Sequence, residues 1–157
     1  MESQWHSCVF FLVLIFLDGF LVLRFQLVSF KRELNLAIDE VKDINTQDWR
    51  RSVNEAFLSV ILKTPVDTGA ALNSWFSNLG NNNGGEGERS PSTSGSDSIA
   101  AMQATVSKSE LGGQVLLYNN LPYIERLEDG YSLQAPVGMI KTTVADWPQI
   151  VARNTRG

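Results

Sequence analysis

The chain has one cysteine, Cys8, and one histidine, His6. A lone cysteine excludes an intrachain disulfide and fits a reducing compartment. A lone histidine cannot anchor a multi-histidine metal centre, and no second pair exists elsewhere to complete a tetrahedral zinc site with His6 and Cys8. Glycines gather in the stretch 80–96, yet the G-x-x-x-x-G-K-[ST] order that cradles phosphate is missing. No cofactor or metal is therefore expected. Basic charge is also scarce, with 13 lysines and arginines against 17 aspartates and glutamates. That balance argues against a protein whose main task is to grip nucleic acid through its phosphates. A length of 157 residues suits one domain with room for a real core.

What the N-terminus lacks is as informative. Residues 8–17 form an unbroken apolar run, Asp18 and Gly19 interrupt it, and 20–23 resume it. An aspartate at mid-membrane is costly, so residues 8–23 make a poor membrane anchor. No Lys or Arg precedes the run and no A-x-A follows it, so it makes a poor signal peptide. The favoured reading is that residues 1–27 are an apolar extension outside the native domain. The domain then occupies 28–157, beginning at Val28.

From Ser29, a possible cap, Phe30, Leu34, Ala37/Ile38, Val41 and Ile44 recur at helical spacing. Asp48 is positioned to cap a second stretch, 48–63, with Val53, Ala56/Phe57 and Val60/Ile61 on one face. One long helix or two in series is expected, with the stripe facing a core more often than a subunit. Pro65 ends it. Residues 74–79 read as a short strand, with Trp75 in the core. Residues 80–96 are rich in Asn, Gly, Ser and Pro and read as a flexible loop, with Arg89 its only trypsin site. Asp97 or Ser98 caps a helix over 99–106, Gly112-Gly113 turns, and 114–118 is a buried strand. A helical stripe then runs from Ile140 to Val151, with Pro148 expected to kink or restart it from a cap at Asp146. The fold class is α+β: a long N-terminal helix, a small mostly antiparallel sheet and a C-terminal helix.

Two segments carry the strongest signals. The first, 119–140, reads N-N-L-P-Y-I-E-R-L-E-D-G-Y-S-L-Q-A-P-V-G-M-I. Pro122 suits a first helical turn, Tyr123, Ile124, Leu127 and Tyr131 follow at helical spacing, and Gly130 sits where a glycine closes a helix. Glu125, Glu128 and Asp129 form a charge run that reads first as a solvated face. The second segment is Thr64-Pro65-Val66-Asp67-Thr68-Gly69-Ala70-Ala71-Leu72-Asn73-Ser74-Trp75. Its Asp67-Thr68-Gly69-Ala70 has the letters of an aspartic protease, in which two such aspartates share a proton. Protease sites enter the aspartate from a hydrophobic strand; here a helical run and Pro65 precede it, and Asp67 or Thr68 reads as the cap of a short turn over 70–73.

Together these segments resemble the tail-completion (neck) proteins of tailed bacteriophages, relatives of the small tail component of phage HK97 and the lambda minor tail protein Z. The matching positions are Asn119, Asn120, Tyr123, Glu128, Gly130, Ser132, Gln134, Ala135, Pro136, Gly138 and Met139. The upstream segment matches the family's T-P-V-D-T-G-x-L-x-x-S-W, with the leucine one residue late. The resemblance implies a structural virion protein, not an enzyme, that completes the tail or neck so that head and tail join. It implies a homo-oligomeric ring, compatible with a hexamer, at the head–tail junction, reached from the host cytoplasm during assembly. Its neighbours would be head-connector and tail-tube or tail-terminator proteins. DNA would pass through without sequence-specific binding, and no membrane is involved. Tyr123, Glu128, Gly130, Tyr131, Gln134, Pro136, Gly138 and Met139 are the subunit-interface candidates. The alternatives are an aspartic protease using Asp67-Thr68-Gly69 and a membrane-anchored protein using residues 8–23.

Overall fold

The two amphipathic stretches belong to one helix, α1 (Trp5–Lys63). Asn45, Thr46 and Gln47 are middling helix formers, but none is Gly or Pro, so the helix carries through them. Ser29 and Asp48 consequently lie inside the helix and not at a helix start. Asp48 is buried and accepts a bond from Arg51 Nη2 at 2.5 Å. The helix stops at Lys63; Thr64 Oγ1 donates to the Val60 carbonyl at 2.9 Å and Pro65 follows. The computed structural model describes residues 5–80 and 87–155, with side chains from Phe30 onward.

Compactness divides the chain into Met1–Asp43 and Ile44–Gly157, whereas the sequence pattern placed a boundary at 27/28. In the first unit the apolar stripe is not core: Phe30, Leu34, Ile38 and Val41 are all exposed. Periodicity marks a face that needs covering without naming what covers it. No helix among the residues searched is long and apolar enough to cross a membrane; the side chains of 8–23 lie outside the described ones.

The second unit continues from α1 through α2 (Ala70–Asn73), β1 (Phe76–Leu79), α3 (Ser96–Val106), β2 (Val115–Tyr118), α4 (Ile124–Glu128) and α5 (Ile140–Asn154). The chain is thus α+β, with a long N-terminal helix, a small antiparallel sheet and a C-terminal helix. β1 and β2 pair antiparallel, Phe76 opposite Tyr118 and Leu79 opposite Val115. A two-stranded ribbon is marginal alone. α3 backs it through Ser77 and Thr105, whose hydroxyls lie 2.9 Å apart, and the Phe76 and Tyr118 rings stack at 5.8 Å. The core joins Val53, Val60 and Ile61 of α1 to Leu72, Trp75, Met102, Val106, Ala135 and Met139.

Local details depart from the sequence expectations where distant partners intervene. α3 begins at Ser96, before the expected start, and its first amides are not capped by Asp97 or Ser98. Asn73 Oδ1, fully buried, accepts from the Asp97 and Ser98 N–H groups at 3.2 and 3.3 Å. α5 runs unbroken through Pro148, and Asp146 pairs with Lys63 at 2.9 Å instead of capping a restart. The proline removes the amide that the Val144 carbonyl would accept, at an exposed residue on the solvent side of the helix.

Candidate functional site

The segments 64–75 and 119–140, far apart in sequence, meet in the second unit. Two side-chain amides stitch them together. Gln134 Oε1 accepts from the Val66 N–H at 2.9 Å and its Nε2 donates to the Val66 carbonyl at 3.1 Å, so a side chain imitates a strand partner. Asn119 Nδ2 donates to the Ala71 carbonyl at 3.0 Å, while its Oδ1 accepts from Leu121 N–H.

Between the segments lies a cleft of about 400 Å³, with Val66, Asp67 and Thr68 on one wall and Tyr123, Leu127 and Tyr131 on the other. Tyr123 is part-exposed and Tyr131 strongly so, and the Arg126 guanidinium lies 4.5 Å from the centre of the Tyr131 ring. Burial pushes the Tyr123 phenol above its ordinary pKa, and the negative charges of Glu88 and Asp67 push it the same way.

Other candidates in 119–140 build the wall and the loop behind it. α4 ends in a Schellman arrangement: Tyr131 N–H reaches the Arg126 carbonyl and Gly130 N–H the Leu127 carbonyl, both at 3.1 Å. Gly130 takes φ 85°, and a Cβ there would lie 2.3 Å from the Pro136 carbonyl oxygen. Gly138, at φ 88°, abuts the Glu128 carbonyl oxygen just as closely, at 2.3 Å from a Cβ. Pro136 is exposed, and its carbonyl oxygen is the atom against which Gly130 packs. Met139 has no exposed surface; it belongs to the core and offers a partner nothing.

Glu128 is not a solvated charge. Its Oε2 accepts from the Met139 and Ile140 N–H groups, both at 2.9 Å, and Oε1 from Lys141 N–H at 2.8 Å. A carboxylate from α4 thereby caps α5, where free amides and the helix dipole both favour negative charge. Asp129 pairs with Lys141 Nζ at 3.0 Å, so the run of carboxylates is divided among different tasks. The sequence signal for Glu128 was present, an acid twelve residues before the start of a helical stripe, but spacing alone cannot show that the loop folds back.

The stretch read as a flexible loop needs a correction. Residues 81–86 lie outside the described ones, but beyond them the chain is tied down. Arg89 Nη1 donates to the Trp75 carbonyl at 2.8 Å and to Ser98 Oγ at 3.1 Å, and its guanidinium sits 4.1 Å over the Phe76 ring. Asn73 Nδ2 donates to the Ser90 carbonyl at 2.9 Å. Composition missed this because the apolar surface that holds the segment belongs to its neighbours.

Asp67 is exposed, in the loop between α1 and α2, and no strand leads into it. The N-cap of α2 is Gly69, at φ 84°, and not Asp67 or Thr68; Thr68 Oγ1, one residue before it, accepts from Ala70 N–H at 3.3 Å. Among the described residues no group of three or more His, Cys, Asp or Glu side chains is placed to hold a metal ion.

Sequence reasoning singled out neither of two exposed apolar residues of this segment as a contact. Leu133 is 97 % exposed and Val137 66 %, both on the loop between α4 and α5. Their signal is an apolar residue inside a turn-rich segment, where burial cannot account for it. Comparison with protein-family models, curated proteins and solved structures gives no match to this chain.

Proposed function

We infer that the chain is a structural virion protein of a tailed phage, a tail-completion or neck component that forms a ring at the head–tail junction. One observation supports this reading most. The two segments that resemble that family are joined by Gln134 and Asn119 into a single cleft, and its surroundings leave Tyr123, Tyr131 and Leu133 open to solvent. Aromatic residues with polar tips are the usual anchors of protein contacts, and exposed leucine on an ordered loop invites a partner. Neighbouring connector and tail proteins would stack on the ring, and DNA would pass through it. The formal net charge of −4 suits a conduit from which phosphate must slide free.

Electron microscopy of the purified full chain tests the reading. Rings with an open centre are expected, and phage lacking the gene should accumulate filled heads beside unattached tails. A chain that stays monomeric at every concentration, together with normal yields of joined particles after gene deletion, removes it.

A further inference from the structure

The stripe of α1 is spaced four, three, four and three residues apart: Phe30, Leu34, Ala37, Val41, Ile44. That is the alternation of a heptad, written abcdefg, with Leu34 and Val41 at a and Phe30, Ala37 and Ile44 at d. The sequence before it keeps the phase through Phe20, Leu23 and Leu27, so the pattern holds for more than three heptads. No charged residue between 20 and 44 falls at a or d. The next two such positions, Asp48 and Arg51, are both charged and pair with each other. The charge-free seam therefore stops where the second unit begins.

The seam is open. Phe30 is 63 % exposed, Leu34 47 % and Val41 56 %. Ile38, at e, widens it, while Leu36 lies off it at c. Helices draw most of their stability from packing such a face. A repeat of seven keeps its apolar positions in line only with another helix of the same repeat, which selects a helix as the cover. A helix that lies on a membrane is rich in Lys and Arg on its polar face. Residues 30–44 instead carry three basic and four acidic side chains, with Glu33 and Glu40 at g along the seam.

We propose that this face binds the same face of further copies of the chain in a parallel, in-register coiled coil, with Leu34 and Val41 in its a layers and Phe30 and Ala37 in its d layers. Charge selects the direction. In an antiparallel pair overlapping along 30–44, g faces g, so Glu33 or Glu40 meets another carboxylate. In a parallel pair g faces the next e, which sets Glu33 beside Ile38 and Glu40 beside Asn45, with no like charges opposed. Cyclic symmetry about the coil axis generates this parallel arrangement. The contact goes beyond the ring reading and stands without it, since none of its residues belongs to the cleft.

Disulfide trapping on the full chain tests it. In a Cys8→Ser background, Ala37→Cys puts the chain's single thiol at d, where parallel partners meet. Mild oxidation is expected to convert most of the chain to a disulfide-linked dimer. Asp39→Cys, at f on the far side of the helix, should stay unlinked. Leu34→Asp/Val41→Asp is expected to weaken self-association by more than about tenfold in sedimentation velocity. Both side chains are exposed within the chain, so this variant keeps its fold, checked by circular dichroism. No trapping of Ala37→Cys, equal trapping of Asp39→Cys, or wild-type self-association by the double variant overturns the proposal. So does a chain that is monomeric in buffer and binds phosphatidylcholine vesicles through this face. Rings in electron micrographs of a chain that fails to trap leave the ring reading standing and remove this contact; trapping without rings does the reverse.

Discussion

Removing the carboxylate of Glu128 should loosen α5 at its first turn by an amount the geometry fixes fairly closely. Three amides depend on it, those of Met139, Ile140 and Lys141 at 2.9, 2.9 and 2.8 Å. The Met139 bond is part-buried, and leaving a buried donor unsatisfied costs about 1–3 kcal/mol. The other two amides face solvent and regain water, so their loss is mainly that of a negative charge at a helix N-terminus, about 0.3–1 kcal/mol. Glu128→Ala should therefore cost about 2 kcal/mol, which at this size lowers the melting temperature by about 8 °C. Glu128→Gln keeps one accepting oxygen but turns an amide NH₂ toward one of the donors, and about half that loss is expected. Glu125→Ala, an exposed neighbour on the same helix, should stay within about 0.5 kcal/mol of wild type. Thermal and urea unfolding give the magnitudes, and amide hydrogen exchange locates them: protection at Met139 to Lys141 should fall first. Unchanged protection there, or an alanine variant no less stable than the Glu125 control, would refute the capping role.

Glu55 should make stability fall in acid. Hydrogen bonds from Arg153 and Asn154, then the Arg153 charge, hold its carboxyl below the ordinary value. A carboxylate with a depressed folded pKa adds stability above its unfolded value and loses it as pH drops through the folded one. Melting temperature should decline as pH falls from about 4.5 downward, and Glu55→Gln should flatten part of that slope, modestly for so exposed a pair; an identical slope in both proteins contradicts the pairing. Trypsin should spare the bond after Arg89 until the unit unfolds, since its guanidinium is bound to Trp75 and Ser98 and stacked on Phe76; a first cut there would mean those contacts do not persist. Tyr123→Ala should keep its helicity yet lose assembly, by about 2 kcal/mol or more per contact, and joined, infectious phage in normal yield would take Tyr123 out of the interface. Leu133→Ser should leave the melting temperature unchanged and weaken assembly; if it instead destabilises the monomer, Leu133 is buried in solution and is no contact.

The sequence disclosed elements and their order better than their purposes. Helical spacing found both halves of α1, and Pro65 marked its end, because those signals are local. Gly130 at the end of α4 was legible for the same reason: few residues but glycine adopt its φ, and its position after an apolar periodic run is distinctive. What could not be read was long-range polar satisfaction. Asn73 serves α3 from two elements away, Glu128 serves α5 across a loop, and Arg89 is held by Trp75 and Ser98. Each of these residues is of a type that usually faces water, so composition assigns it to surface. The first half of the α1 stripe failed in the opposite direction: apolar spacing from Phe30 to Val41 indicated core where the structure has an open face, whereas Val53, Ala56, Val60 and Ile61 are buried as expected.

The same distinction sorts the residues of the 119–140 segment. Gln134, Asn119, Glu128, Gly130 and Gly138 are consumed within the chain, fixing a crossing loop and joining it to the segment around Val66. A pattern dense in such residues reports first on the backbone of a loop and only second on what the loop touches. Substituting them perturbs fold and assembly together, so a loss of function there cannot be assigned to contact. The side chains open to a partner are those of Tyr123, Tyr131, Leu133 and Val137, which are exposed and take no part in the side-chain hydrogen bonds that hold the loop. Contact specificity would then reside in side chains that the loop merely displays, and the polar and glycine residues behind them would set how rigidly they are displayed. Rigid display matters because ordering a loop at the moment of binding subtracts from affinity. A crossing already closed by Gln134 and capped by Glu128 has met that cost during folding.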